Sequence, residues 1–581
     1  MENSSRSQPV RFGSFEVDLR AGEVRKEGSK IKLQDQPFQI LALLLERPGQ
    51  VVTREELQSR LWPSDTFVDF DHSLNKSINK LREALGDSAE NPRFVETLPR
   101  RGYRFLGVVN GSHAAAPQRG GPIDSIAVFS LANPNPCPDL DCLAVGIPGS
   151  IIHSLSQIPG LRVIAWNSLA RSGNREEDPL AIGRSVGASA ILAGRIWQRD
   201  NRLRLHVDLI DTSNGAELWG DQYDRDVNEL FSVQDEISRE VSKKLRLKVT
   251  GEAQTQLTKR YTESIEAYQL YVRARRWCEK RSAEGFKRGT EYLNQAIQID
   301  PSFALAHAEL AQCISVPCYY GAVDPNIGYP RAKASALRAL ELDSHLPEAH
   351  EVLATILKNY EWNWKAAEEE YKLAIAINPN YATARYHYSY LLAEQGRHDE
   401  AIHEATEAQS RDPMSGLLNA GLAFVLLHAR RLNKCIKQAL TGIEVDPNMI
   451  LCYWTLGAAY ELMGQYPQAI EAYQKSIDVG SAIALPTSFL AHAYARSGDR
   501  EKARTALREL RELSNSRYVP HIAFVVAYDG LLEIDLALDA LEQACSHRES
   551  NLIMIKIWPH FDAIRHHPRF QAVERRVGLR H

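Results

Sequence analysis

The amino-acid sequence predicts a multidomain chain of three parts: a small α+β module, an α/β unit and an all-α repeat solenoid. Three observations predict it. An amphipathic helix and a basic hairpin follow one another between residues 73 and 105. Strand and helix patterns then alternate from 123 to 250, and a 34-residue period runs from Ser264 to about Ser546. A length of 581 residues is too great for a single core. Apolar content of 44% and charged content of 24% are ordinary for soluble globular protein.

The first part reads as strands, then helices, then a hairpin. From 10 to 33 the apolar positions Phe12, Phe15, Val17, Leu19, Val24, Ile31 and Leu33 alternate with polar residues, with turns near Ala21-Gly22 and Gly28-Ser29. Pro37 opens a helical pattern carrying Phe38, Leu41, Leu44 and Leu45 on one face, up to Pro48-Gly49. Thr53 and Glu56 form a capping box for a second helix to Leu61, which Pro63 ends. A third helix starts near Asp71. Its stripe of Leu74, Ile78, Leu81 and Leu85 packs inward, while His72, Lys76, Asn79, Lys80 and Glu83 face the other way. Asn reads adenine and Lys reaches guanine or phosphate, so this polar face suits DNA as well as it suits solvent. Phe94 to Phe105 then reads as a hairpin with Gly102 as its turn residue and Arg100, Arg101 and Arg104 around it. Such arginines suit the phosphates beside a groove, or the minor groove itself. Seven Lys/Arg stand against four Asp/Glu from Lys76 to Arg104, so a basic footprint is local although the whole chain carries −4.

A helix sized for the major groove followed by a basic hairpin is the layout of a winged helix. Residues 10 to 108, with the ending Gly102-Tyr-Arg-Phe105, resemble the OmpR/PhoB-type winged-helix family, giving a module over 10–109. The resemblance implies that the third helix enters the major groove through Lys76, Asn79 and Lys80, and that Arg100 and Arg101 contact the adjacent backbone. His72 and Arg104 complete the candidate DNA-binding set. It also implies a dimer on paired half-sites. The family often has a hydrophobic-His pair where Lys76-Ser77 stand here, so its base preference does not carry over. Family members usually place a receiver domain first; about nine residues precede the module here, so input is expected from the C-terminal side. A CadC/ToxR-like branch places a membrane helix after the module, where Asn110 to Pro122 is instead a polar Gly/Ala/Pro linker.

Beyond the linker, Ile126 to Phe129, Leu161 to Ala165, Ala188 to Trp197, Leu203 to Asp211 and Glu217 to Tyr223 read as strands. Ile147 to Ile158, Leu180 to Val186 and Val227 to Leu247 read as helices. The order is α/β. Through Gly160-Leu-Arg-Val163, Leu209-Ile-Asp211, Gly215 to Trp219 and Tyr223-Asp-Arg225, residues 123–250 resemble a TolB N-terminal-like domain. That resemblance implies a fold and no activity. No phosphate-binding loop, nucleophile elbow or HExxH sequence occurs, so neither an enzyme nor a cofactor is expected. Asp139 and Asp141, near Pro134, Pro136 and Pro138, read as loop residues rather than cation ligands. Gly146 and Gly149, near a helix start, leave room for an anion or nucleotide.

The repeats are clearest at Tyr453, Leu456, Gly457, Tyr460, Gly464, Ala469 and Tyr473, echoed 34 residues on at Leu490, Ala491, Tyr494, Gly498, Ala503 and Leu507. Pro379, Pro413 and Pro447 keep the same spacing. This period is the signature of tetratricopeptide repeats. Pairs such as Gly457 and Ala469 let the two helices of a hairpin approach closely. Eight units over 264–547 begin near 264, 304, 348, 382, 416, 450, 484 and 518, the second with an insertion around Val316 to Tyr329. Their stacking predicts a superhelix whose concave face holds a peptide or protein partner. Trp362, Trp364, Tyr386, Tyr388 and Tyr390 divide between packing and partner contact. The tail 548–581, with Trp558 to Phe561 and Pro568 to Phe570, reads as a cap, and His566-His567 as its surface rather than a metal site.

No leader pattern or apolar run of membrane length occurs, and eight scattered Cys suit reduced thiols, so a cytoplasmic protein is expected. Cys137/Cys142 and Cys313/Cys318 lack the second ligand pair of a zinc finger, and no metal is expected. The parts together predict a DNA-binding transcription regulator controlled by its C-terminal modules. The alternative is a protein-complex scaffold in which the winged helix is a docking module.

Overall fold

The computed structural model describes the chain apart from residues 1–9, 13–14, 19–20, 27–28, 32, 47–50, 62–69, 89–91, 99–101, 107–108, 111–122, 135–137, 159, 167–177, 200–201, 246–258, 481–483 and 581. Arg100, Arg101, Cys137, Pro48-Gly49, Pro63 and most of the expected linker therefore lie outside the described residues, as do the side chains of His72 and Asp139. The fold divides into two units, Met1–Pro122 and Ile123–His581.

In the first unit, β1 (Val10–Phe12), β2 (Phe15–Asp18), β3 (Glu23–Lys26) and β4 (Ser29–Ile31) form an antiparallel meander, with Asp18 accepting the Ala21 N–H in the expected turn. Helix α1 (Asp35–Glu46) follows, then β5 (Val51–Thr53), α2 (Arg54–Leu61) and α3 (Phe70–Leu85). The hairpin is β6 (Val95–Leu98) and β7 (Gly102–Phe105), and β5 pairs with β7 to make a three-stranded sheet ordered β5-β7-β6. Strand β8 (Val109–Asn110) returns to the edge of β1. The predicted stripe Leu74, Ile78, Leu81 and Leu85 is buried, and packs with Phe12, Phe15, Phe94 and Phe105 in one core. Gly102 is not the turn residue that the sequence suggests. It begins β7 opposite Thr53, and a Cβ there would overlap the Val52 carbonyl oxygen, so glycine is what lets β5 approach the hairpin.

The second unit opens with β9 (Ser125–Phe129), α4 (Pro138–Ser156), β10 (Arg162–Trp166), α5 (Pro179–Ser185), β11 (Ala190–Arg199), β12 (Arg202–Asp211), β13 (Glu217–Asp226) and α6 (Leu230–Lys244). The sheet order is β10-β9-β11-β12-β13, parallel among the first three strands and antiparallel after them. Helix α4 begins at Pro138, well before the expected Ile147, because proline is favoured in a first turn. Asp139 and Asp141 therefore lie on that first turn rather than in a loop, and Asp141 accepts Asn133 Nδ2 at 2.8 Å. Gly146 and Gly149 sit in the middle of the helix, away from any free amides. A Cβ at Gly146 would come within 2.9 Å of Val272 Cγ2, so this glycine serves close packing and not anion binding.

Among the described residues, eight helical hairpins follow. Their helices are α7 (Ile265–Cys278) with α8 (Ala283–Ile299), α9 (Ala304–Tyr319) with α10 (Pro325–Leu342), α11 (Pro347–Ile356) with α12 (Trp364–Ile377), and α13 (Ala382–Glu394) with α14 (His398–Arg411). The last four are α15 (Gly416–His428) with α16 (Leu432–Val445), α17 (Ile450–Leu462) with α18 (Tyr466–Val479), α19 (Leu485–Arg496) with α20 (Arg500–Ser514), and α21 (His521–Leu531) with α22 (Ile534–Ser546). A Cβ on Gly457 would meet Tyr473 Cδ1 at 2.7 Å, which is why a small residue stands at that crossing. The insertion in the second repeat is taken up largely by helix: α9 runs through Pro317 to Tyr319, and Pro325 and Gly328 already belong to α10. Tyr386, Tyr388 and Tyr390 are buried core residues, and Trp364 donates to the Val577 carbonyl, so these four aromatics pack. Cys278 and Cys313 form a disulfide between α7 and α9, correcting the expectation of reduced thiols for this pair. Burial pushes the thiols of Cys318, Cys435 and Cys452 up to about 12.

The α/β layer and the repeats share one core, in which Leu143, Ile147 and Ile151 pack with Ala267, Tyr268 and Phe303. Tyr268 ties them: its hydroxyl donates to the Gly146 carbonyl at 2.8 Å, lies 2.7 Å from Ser150 Oγ and accepts Gln234 Nε2 at 3.2 Å. Asn380 of repeat three's exit donates to the Ser156 and Leu161 carbonyls at 3.0 and 2.7 Å.

The tail does more than cap the last repeat. From Ser550 to Phe561 it runs against α9 and α10 of the second hairpin and then against α15, α17 and α19. Ser550 Oγ meets Tyr329 OH at 2.9 Å, His428 Nδ1 faces the Ile557 carbonyl at 3.3 Å, and Trp558 packs tilted or edge-on among Trp454, Phe489 and Phe561. Helix α23 (Pro568–Val577) then packs on α22. Part of the repeat surface is thus covered by this chain's own C-terminus. Asn326 donating to the His547 carbonyl at 3.0 Å and Gly321 pressed on Pro520 close repeat two onto repeat eight. Trp558 is 2% exposed, so Trp558→Ala should lower stability by about 3–5 kcal/mol. Urea unfolding followed by circular dichroism measures this, and a change under 1 kcal/mol (about the surface range) would contradict the buried placement.

Candidate nucleic-acid interface

Helix α3 is fixed on three sides, and its remaining side is the candidate interface. Arg82, 6% exposed, reaches from α3 to the hairpin: Nε and Nη2 donate to the Val95 carbonyl at 3.2 and 2.8 Å, and Nη2 to Thr97 Oγ1 at 2.6 Å. Asp87, just past the helix, accepts the backbone N–H groups of Ser88, Arg93, Phe94 and Val95 at 2.6–3.1 Å. Partial burial works to raise its carboxyl pKa; the backbone donors outweigh it and hold the group below the usual carboxylate range. At the other end, Tyr103 OH of β7 donates to Asn75 Oδ1 at 2.9 Å, and Arg54 Nη2 donates to the same oxygen at 3.3 Å. Ser77, buried, donates to the Ser73 carbonyl at 2.9 Å. Helix and hairpin are therefore held together as one body.

Lys76 and Asn79 are exposed on the free side of α3 and make no side-chain hydrogen bond among the described residues. Lys80 is half-buried, its Nζ donating to Gln34 Oε1 at 2.6 Å, which ties it to the lead-in of α1. Arg104 faces Glu96 directly across the hairpin, and Nε donates to Oε2 at 2.7 Å. Its charge is already matched, so among the described residues of the predicted set Arg104 stands least ready for phosphate. Of the predicted site residues, α3 brings Lys76, Asn79 and Lys80 to one region. The sequence reading misses Arg54, Asn75, Arg82 and Asp87. Arg82 looks like a solvent charge on a wheel, and only its place opposite Val95 reveals its role. The acidic position after the helix, followed by the hairpin, is the one local signal that would have flagged Asp87.

This arrangement defines a class, an OmpR/PhoB-type DNA-binding domain joined to tetratricopeptide repeats. Residues 28–105 match the family described as transcriptional regulatory protein, C terminal, and residues 451–479 match the tetratricopeptide repeat family. Among curated proteins, the chain is 32% identical over 250 residues to a Rhizobium meliloti (strain 1021) protein provisionally named adenylate cyclase 3, covering 42% of each chain. It is 22% identical over 406 residues to the transcriptional regulator HilA of Salmonella typhimurium, covering 69% of this chain and 70% of HilA. It is 41% identical over 76 residues to the cholera toxin homolog transcriptional activator of Vibrio parahaemolyticus, or 13% of this chain and 26% of that one. The chain thus spans well under half of the Rhizobium relative's length. Among the described residues no helix is long and apolar enough to cross a membrane.

The Asp87 carboxylate contributes stability above its unfolded pKa, and that contribution is lost as pH falls through the lower folded value. Amide exchange over residues 70–105 of the full chain should therefore quicken below about pH 4. In Asp87→Asn it should already be faster at neutral pH, by an opening free energy about 1–3 kcal/mol smaller. Equal protection in the two proteins would show that Asp87 does not hold the hairpin.

Proposed function

We propose that this protein is a sequence-specific DNA-binding regulator of transcription whose reader is the winged helix and whose input is the second unit. The carrying observation is the face of α3: Lys76 and Asn79 project from a helix locked to its hairpin by Arg82 and Asp87. A rigid, exposed Lys/Asn pair is what base reading in the major groove needs. In this reading Lys76, Asn79 and Lys80 meet the groove with His72 at the helix start, and Arg100 and Arg101 meet the backbone beside it. Arg104 positions the hairpin. Domains run over 10–109, 123–250 and 264–547, with a linker at 110–122 and the tail from 548. We read the five-stranded α/β part as the TolB N-terminal-like domain, and its shared core with the repeats supports one sensing body rather than two. Regulators among the relatives support the same reading, in which two copies bind paired half-sites.

Selection of duplexes from a random library by the full-length protein, followed by fluorescence anisotropy, tests it. Lys76→Ala should weaken binding to all duplexes and make the logarithmic salt slope shallower by about 1. Asn79→Ala should weaken the selected duplex by about 1–3 kcal/mol and the random ones little. No enriched sequence, or one bound equally by both variants, would overturn the proposal and favour the scaffold.

A further inference from the structure

Glu461, His492, Asp529 and His560 converge in the interior of the repeats. They come from α17, α19, α21 and the tail, and their side chains are 5%, 7%, 4% and 3% exposed. Glu461 stands between the two imidazoles: Oε1 lies 2.6 Å from His492 Nδ1, and Oε2 lies 3.2 Å from His560 Nε2. The three donor atoms all fall within 4.8 Å of one another. The second nitrogen of His492 faces Asp529 Oδ2 at 3.4 Å, and Tyr473 OH donates to Glu461 Oε2 at 2.9 Å. Two polar atoms of the cluster, Asp529 Oδ1 and His560 Nδ1, are buried without a hydrogen-bond partner.

Buried carboxylates demand compensating positive charge. When both imidazoles are neutral, one divalent cation balances the two carboxylates and takes up a lone pair from each imidazole. Imidazole and carboxylate donors together select a first-row transition metal rather than calcium or magnesium. The carboxylate behind His492 is the arrangement that orients a ligating imidazole. With bonds of about 2.0–2.1 Å, donors around zinc stand roughly 3.3 Å apart, so the closest pair here needs to part by under about 1 Å. Among the described residues a second cluster, Cys278, Glu309 and Cys313, has both sulfurs in a disulfide.

We propose that Glu461, His492 and His560 form a site for a zinc-class divalent ion, which fastens the tail to the last three repeats. Asp529 orients His492 there. The site goes beyond DNA reading and stands or falls separately from it.

The test uses the full-length protein, stripped with a chelator and titrated with Co²⁺, then Zn²⁺. We expect one Co²⁺ per chain by elemental analysis, a visible ligand-field band, and its loss on adding Zn²⁺. His560→Ala should weaken Co²⁺ binding at least 100-fold while keeping the circular dichroism of the native protein, since Glu461 and His492 still pair. Asp529→Asn should weaken it about 10-fold, within the range of outer-shell partners. Metal should slow proteolysis within 548–567 in the parent protein and not in His560→Ala. Cys278→Ser with Cys313→Ser should leave binding unchanged. Absence of uptake by natively folded protein, uptake indifferent to His560→Ala and Glu461→Gln, or uptake lost in the cysteine variant would each overturn the site.

Discussion

The second unit depends on the contact that Tyr268 makes with α4. Its ring lies on the first repeat helix, and its hydroxyl reaches Gly146, Ser150 and Gln234 across the boundary between the α/β layer and the repeats. A buried hydroxyl of this kind must be satisfied, and here three partners from two helices satisfy it. The close approach exists because position 146 has no side chain to clash with Val272. Around it one core runs from the sheet into the first hairpins. A change in the early repeats is therefore felt by the sheet as a packing change, because such cores do not deform smoothly.

At the far end of the stack the tail does comparable work. Repeat arrays leave an inner row of apolar side chains that stacking alone does not cover. Here Tyr390, Phe424, Trp454 and Phe489 form that row, and Trp558 lies over it. The interior is thus closed by a segment with its own buried polar anchors, Ser550 on Tyr329 and His560 on Glu461. Any partner of the inner face competes with about 25 cal/mol for each Å² of apolar surface that the tail already covers.

Much of this was legible in the sequence where the signal is local. The hairpin helices follow from the 34-residue spacing of Gly457, Ala469 and their equivalents, because helix crossings admit only small residues. Leu74, Ile78, Leu81 and Leu85 mark the buried stripe of α3 directly. The start of α4 was not legible: Pro138, Gly146 and Gly149 look like punctuation, and only the neighbouring helix explains the glycines. Nor was the Cys278–Cys313 pair, which joins residues 35 apart in sequence through a crossing of helices. Within the candidate interface the polar face of α3 was readable, whereas Arg82 was not, since a buried charge is recognised by its partners and not by its place on a wheel.

The central claim is that the exposed face of α3 chooses the DNA. Genome-wide mapping of DNA bound by the full-length protein in its native cells, beside a Lys76→Ala, Asn79→Ala variant at equal abundance, tests it most directly. The parent protein should occupy discrete sites sharing one sequence, and the variant should lose them. Identical occupancy by the two proteins, or no discrete sites for the parent, would contradict the claim.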